Sequence, residues 1–187
     1  MRQTEVALQH LATHDALTDL PNRFLLVDRL NQLLSRAHRA KTNFAVLFMD
    51  IDRFKDVNDS HGHEVGDLLL RGVGQRLSKG VRASDTVARM GGDEFVILLE
   101  AAQTASEADT VALKVAESIA KPFTLDGRRL STSVSIGVSF YPDNGEDAET
   151  LLRSADYAMY LAKREGGNRH RTSAPGTSHS GEPSEQS

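Results

Sequence analysis

The 187-residue sequence contains no cysteine, which excludes disulfides and thiolate metal sites. No apolar run approaches the ~20 residues a membrane-spanning helix needs, and nothing near the start reads as a signal peptide. The expectation is a cytoplasmic chain without a membrane segment. A basic excess is missing too: 22 Lys and Arg stand against 26 Asp and Glu, for a formal net charge of −4. Nucleic-acid binding favours basic surfaces, so no nucleic-acid partner is expected. His61 and His63 lie close together, but no third histidine is near, and they read as solvated loop residues rather than ligands. No internal repeat is evident. What is present, 39% hydrophobic and 26% charged residues, is ordinary for a globular protein. The length suits one domain with a proper core and some chain left over at the ends.

Two stretches carry the chemistry. In Arg89-Met90-Gly91-Gly92-Asp93-Glu94-Phe95, two glycines and two acids separate a short strand from an apolar run, which is the pattern of a hairpin connection. The glycines supply turn conformations and let a large ligand approach the backbone. Adjacent carboxylates at such a tip are costly to hold together unless a cation sits there. The second stretch, Phe44-Ala45-Val46-Leu47-Phe48-Met49-Asp50, is an apolar run ending abruptly in acid, the mark of a strand buried on both faces. If that strand lies beside the hairpin, Asp50 and Asp93 converge on one point. A few hard oxygen ligands, supplemented by substrate phosphates, are how Mg²⁺ is usually held.

Asp50-x-Asp52-x-Phe54-Lys55-x-x-Asn58-Asp59, Gly62-His63, Gly66-Asp67 and Gly91-Gly92-Asp93-Glu94-Phe95 together resemble a GGDEF-family diguanylate cyclase over residues 15–168. The resemblance implies that two GTP are condensed into cyclic di-GMP and two pyrophosphates by a homodimer with one GTP per subunit. It implies two divalent ions per active site, Mg²⁺ or Mn²⁺, with Asp50, Asp93 and the Ile51 carbonyl as ligands and Glu94 as a further ligand or the base. Asp93 and Glu94 are then the catalytic acids. GTP would be held by Phe54, Lys55, Asn58, Asp67, Gly91, Gly92 and Lys163. An amide and a carboxylate suit guanine, because adenine presents no comparable pair of donors. Lys55 and Lys163 would meet the β- and γ-phosphates as point charges. Arg82 and Asp85 resemble the family's inhibitory RxxD motif, a product-binding site for cyclic di-GMP; taken alone they read as a surface ion pair. Asp52 reads as a structural hydrogen-bond acceptor.

Residues 1–13 form a short helix that resembles the remnant of a signalling helix, implying a sensor or receiver domain elsewhere. Residues 14–171 form the GGDEF domain, and residues 172–187, rich in Ser, Gly, Pro and Glu, a disordered tail. Residues 15–23 act as a structural bracket, with Asn22 a capping residue and Pro21 at a helix start. Helices follow over residues 23–39, 65–77, 105–120 and 147–164. Residues 59–66 read as a polar loop. Residues 122–125 pair with a strand over residues 128–140 through Asp126-Gly127. Strand, helix, hairpin, helix, strand and helix on one antiparallel sheet is an α+β, ferredoxin-like, palm-type pattern like that of nucleotide cyclases.

One position departs from the family pattern. The stretch Ala162-Lys163-Arg164-Glu165-Gly166-Gly167-Asn168-Arg169 has Gly167 where the resemblance expects a phosphate-binding arginine. The contact is lost or supplied by Arg164 or Arg169, and Gly167→Arg should then lower KM. The rival to the enzyme is a catalytically weak receptor domain that binds GTP or cyclic di-GMP.

Overall fold

The computed structural model describes residues 2–174, with the side chains of residues 2 and 3 left aside. Five strands form the main sheet: β1 (Phe44–Ile51), β2 (Thr86–Gly91), β3 (Glu94–Leu99), a strand over Val134–Tyr141 and one over Arg169–Thr172. The short strands Phe123–Leu125 (β4) and Arg128–Leu130 (β5) pair only with each other, so the last two are β6 and β7. The sheet order is β2-β3-β1-β6-β7. Its first four strands run antiparallel, which is the expected ferredoxin-like arrangement. The fifth does not fit a purely antiparallel sheet: β7 lies parallel to β6 at the edge.

All eight residues of β1 are buried, and their alternation divides the core in two. Ala45, Leu47, Met49 and Ile51 face helices α4 (His63–Gly80) and α5 (Ala105–Ala120). Phe44, Val46 and Phe48 face α2 (Arg23–Ala40) and α6 (Ala148–Arg164). Helix α6 comes so close to the sheet that a methyl group on Gly137 would meet the Ala155 carbonyl oxygen at 1.8 Å. Asn22 caps α2 by accepting from the Leu25 N–H. Pro21 stands before the cap rather than in the helix, and its carbonyl accepts from the Arg89 N–H. Thr104 and Glu107 form a capping box on α5.

Three expectations need correction. Residues 59–66 are not a loop: α3 (Phe54–His61) and α4 are separated only by Gly62, whose N–H donates to the Asn58 carbonyl. Asp, Asn, Ser and His form helices poorly by themselves, but Phe54 and Val57 pack on the core and hold α3 in place. The strand expected over residues 128–140 breaks into β5 and β6 at residues 131–133. Its turn is as expected, with Asp126 at φ 50° and Gly127 at φ 70°, the conformation of a two-residue hairpin. Order also continues past residue 171. Thr172 lies in β7, the Ser173 N–H donates to the Val138 carbonyl, and Asn144 Nδ2 donates to the Ser173 and Ala174 carbonyls. The rest of the expected tail, residues 175–187, lies outside the described residues. Helix α1 (Arg2–Thr13) leaves Val6, Leu8 and Leu11 exposed. Among the described residues no helix is long and apolar enough to cross a membrane.

Candidate active site

Asp50 is the penultimate residue of β1. Its cross-strand partners are Glu94 on β3 and Ser135 on β6, and Ser135 is in turn paired with Arg169 on β7. Paired residues share a face of a sheet, so Glu94, Asp50, Ser135 and Arg169 form one row on the face that α6 covers. From α6, Lys163 Nζ reaches Asp50 Oδ2 at 2.8 Å. The hairpin tip places Asp93 at the same point, with the Ile51 N–H donating to its carbonyl oxygen at 3.4 Å. The structure therefore brings Asp50, Ile51, Asp93, Glu94 and Lys163 together.

The electrostatics of this end are unfavourable by themselves. Burial, then the neighbouring Asp93 carboxylate, push the Asp50 carboxyl up to about 8, with Lys163 pulling the other way. Asp50 Oδ1 is buried and accepts no hydrogen bond. Asp93 could satisfy it only by holding a proton, since two carboxylates offer no donor. Burial, then Asp156 and Asp93, raise the Glu94 carboxyl, against Lys163 and Arg23. Asp156 of α6 is raised by burial and lowered by Lys163. An orphaned buried acceptor beside a like charge is the donor set that a hard divalent cation satisfies. Among the described residues no three His, Cys, Asp or Glu side chains stand close enough to hold a metal alone. An ion held here would need other ligands, such as substrate phosphates and a main-chain carbonyl, to complete its shell.

The tip is held from behind by Arg89, which is largely buried. Its Nε and Nη2 donate to the Gly92 carbonyl at 3.0 and 2.7 Å, and its Nη1 donates to both oxygens of Asp15. Asp15 also accepts from the Thr18 N–H and hydroxyl. The bracket of residues 15–23 is thus fastened to the hairpin by one guanidinium. The sequence pattern assigns no role in the site to Arg89, Arg23 or Asp156. Asp156 lies seven residues before Lys163, two helical turns along one face that flanks the small-residue stripe Ala155, Ala158 and Ala162. That was a signal the sequence offered.

The guanine candidates converge between α3 and α4. A methyl group on Gly66 would sit 1.9 Å from Asn58 Oδ1 and 3.3 Å from the Phe54 ring, so glycine there lets Asn58 and Phe54 lie against α4. Asp67 follows, exposed at the same rim, and Lys55 is exposed on the first turn of α3. His61 is half-buried and His63 exposed.

Arg82 and Asp85 lie away from this cluster. The Asp85 oxygens accept from the N–H groups of Arg82 and Glu100 at 3.0 and 3.1 Å. Both residues line a cavity of about 440 Å³ together with Glu107, Thr110 and Lys114.

Asp52 is the structural acceptor expected. It takes the Ser133 and Ser135 hydroxyls at 2.5 and 2.6 Å and the Asn168 N–H at 2.8 Å, pinning the start of β6 to the turn after α6. This bears on Gly167, whose φ is 69°; a methyl group there would meet the Asp52 carboxylate at 2.9–3.0 Å. A side chain at 167 would therefore need the Asp52 carboxylate to shift.

The sequence matches the family described as diguanylate cyclase, GGDEF domain, over residues 12–169. It is 50% identical over 161 residues to the bifunctional diguanylate cyclase/cyclic di-GMP phosphodiesterase MucR of Pseudomonas aeruginosa, covering 86% of this chain and 23% of that protein. It is 42% identical to diguanylate cyclase TpbB of the same species, covering 88% and 38%. The chain thus spans well under half the length of these curated relatives. The crystal structure of the isolated GGDEF domain of TpbB superposes with a TM-score of 0.82 at 40% identity, covering 84% of this chain and 98% of that one. The coiled coil and GGDEF domain of DgcB from Caulobacter crescentus, in complex with c-di-GMP, superposes with a TM-score of 0.83 at 26% identity, covering 92% and 91%.

Proposed function

The chain belongs to the diguanylate cyclase GGDEF family, and from that membership we propose that it condenses two GTP into cyclic di-GMP and two pyrophosphates as a homodimer. Asn58 and Asp67 hold the guanine edge, with Phe54 beside it. Lys55 and Lys163 meet the outer phosphates, and Gly91-Gly92 lets the triphosphate approach the hairpin backbone. Asp50, the Ile51 carbonyl, Asp93 and Glu94 hold two Mg²⁺ ions, or Mn²⁺. When bound, these ions neutralise the triphosphate and acidify the attacking hydroxyl.

The 3′-oxygen of one GTP forms a bond to the α-phosphorus of the other, the bond to the bridging oxygen breaks, and pyrophosphate departs with its electron pair. The second step repeats this in the opposite sense. Glu94, held above the ordinary carboxylate range by burial, Asp156 and Asp93, is suited to accept the proton of the 3′-hydroxyl. One domain offers one nucleotide site and the reaction consumes two, so a second copy must face the first. Positioning and charge neutralisation carry most of such a displacement. Cyclic di-GMP binds at Arg82 and Asp85 as an inhibitor, the arginine forking onto guanine O6 and N7. Sensor or receiver domains belong to the longer proteins of which such a domain forms part.

The observation that carries this reading is the buried, unsatisfied Asp50 Oδ1 beside Asp93 and under Lys163. Incubation with GTP and Mg²⁺ over a range of protein concentrations should give cyclic di-GMP at a rate rising more steeply than linearly with protein. GTP binding without product at any concentration would establish the receptor reading instead.

A further inference from the structure

We infer that Arg169 is the second cation of the phosphate grip, working with Lys163 at the end of the row opposite Glu94. The inference rests on the proposed GTP chemistry and deepens it. Arg169 is paired with Ser135, and Ser135 with Asp50, which places Arg169 two strands from Asp50, roughly 10 Å away, on the same face. Lys163 stands over Asp50 from α6. A triphosphate whose reacting end lies at Asp50 and Asp93 has Lys163 and then Arg169 along its remaining length.

The neighbouring cations are directed elsewhere. Arg171 shares the Arg169 face but is bound through two N–H groups to Glu165. The Arg164 guanidinium lies 5.9 Å from the centre of the Tyr160 ring, on the exposed side of α6. Arg169 is held loosely: Nη1 is 3.7 Å from Glu165, and Nε donates to the Gly167 carbonyl at 3.2 Å. That hydrogen bond folds its guanidinium back over the Gly166-Gly167 turn. With glycine at 167, the charge at this turn comes from two residues further on.

The test uses calorimetry with three probes: 3′-deoxy-GTP, which lacks the attacking hydroxyl; inorganic tripolyphosphate; and GMP. Arg169→Ala should weaken 3′-deoxy-GTP and tripolyphosphate roughly 10- to 100-fold, the loss of a charged hydrogen bond, and leave GMP unchanged. Arg169→Lys should recover part of the loss, and Arg164→Ala should match the parent with every probe. Equal triphosphate affinity in parent and Arg169→Ala overturns the assignment while leaving the cyclase reading in place. An equal loss for GMP overturns it too, by showing damage to the whole site. A parent that binds neither 3′-deoxy-GTP nor GMP removes the GTP reading, and this one with it.

Discussion

Gly91-Gly92 and Gly166-Gly167 close opposite ends of the same cross-strand row, and a single methyl group tells them apart. At Gly91 and Gly92 an added Cβ meets nothing within 4 Å. At Gly167 it meets the Asp52 carboxylate at 2.9–3.0 Å. The backbone needs glycine-like conformations at both ends, with φ 141° and 50° at the hairpin and 110° and 69° at the later turn. The hairpin glycines therefore leave space open beside the acids, whereas Gly167 closes a packed joint among β1, β6 and β7. One dipeptide marks an approach route, the other a structural latch. The charges differ as well: Asp50, Asp93 and Glu94 crowd around Lys163 at the open end, whereas Arg169 and Arg171 meet Glu165 at the latched end.

The largest effect expected from breaking this division is at the open end. Asp93→Asn keeps the size of the side chain and removes a charge from the proposed metal site. Loss of cyclic di-GMP synthesis should exceed about 100-fold, since even partners one shell removed from a metal are worth 10- to 100-fold. The melting temperature should stay at or above that of the parent, because a like charge beside Asp50 has gone. Near-normal turnover at limiting Mg²⁺ would remove Asp93 from the site.

How far this division could be read from sequence differs between its ends. The open end was legible because its signal is local: an apolar run stopping at Asp50, and two glycines and two acids between strands. The ferredoxin-like strand order follows from the same alternation of runs and turns. The latched end was not legible. Strand β7 reads Arg-His-Arg-Thr, with no apolar alternation to mark a strand; it exists because β6 offers an edge and Asp52 binds the Asn168 N–H. The contact between Gly167 and Asp52 was hidden too, because that carboxylate lies 115 residues earlier in the chain. Asp156 and Arg89 belong to the site through the packing of α6 and of the residue 15–23 bracket, which residue type alone does not disclose. Helix α3 was lost for a related reason: its own residues favour a loop, and its burial of Phe54 and Val57 is tertiary.

A smaller effect should separate the two glycine pairs in stability. Gly92→Ala and Gly167→Ala both place a side chain at positive φ, costing about 1–2 kcal/mol. Gly167→Ala must also push aside a carboxylate held by two hydroxyls and a main-chain N–H. That adds roughly 1.5–3 kcal/mol if one of these charged hydrogen bonds is lost. Denaturant titration should show Gly167→Ala the weaker protein by that margin. Combining it with Asp52→Ala should cost less than the sum of the two, because the obstacle has been removed. Equal stability of the two glycine variants would mean that Asp52 yields without cost and the latch is not one.

The last effect is a slope, and it belongs to the acidic end alone. Asp50 is raised from its ordinary 3.8 to about 8, by burial first and then by Asp93. Between those values the folded protein holds a proton that the unfolded chain has released. Its contribution to stability is therefore complete below about pH 4 and is lost as pH rises toward 8. Glu94 and Asp156, also raised, act in the same direction. Asp50→Asn removes one of these protons from the balance, so its stability should fall less steeply across this window. The difference in slope is at most about 1.4 kcal/mol per pH unit, the value of one proton. Mg²⁺ selects the ionised carboxylates, so its stabilisation of the parent should grow with pH over the same range. Arg169→Ala, at the other end of the row, should keep the parent's slope. Denaturant titrations at a series of pH values read all three proteins. Parallel profiles for the parent and Asp50→Asn would show that Asp50 is ionised throughout, its charge already balanced by Lys163, and that the acids at the open end are not waiting for a cation.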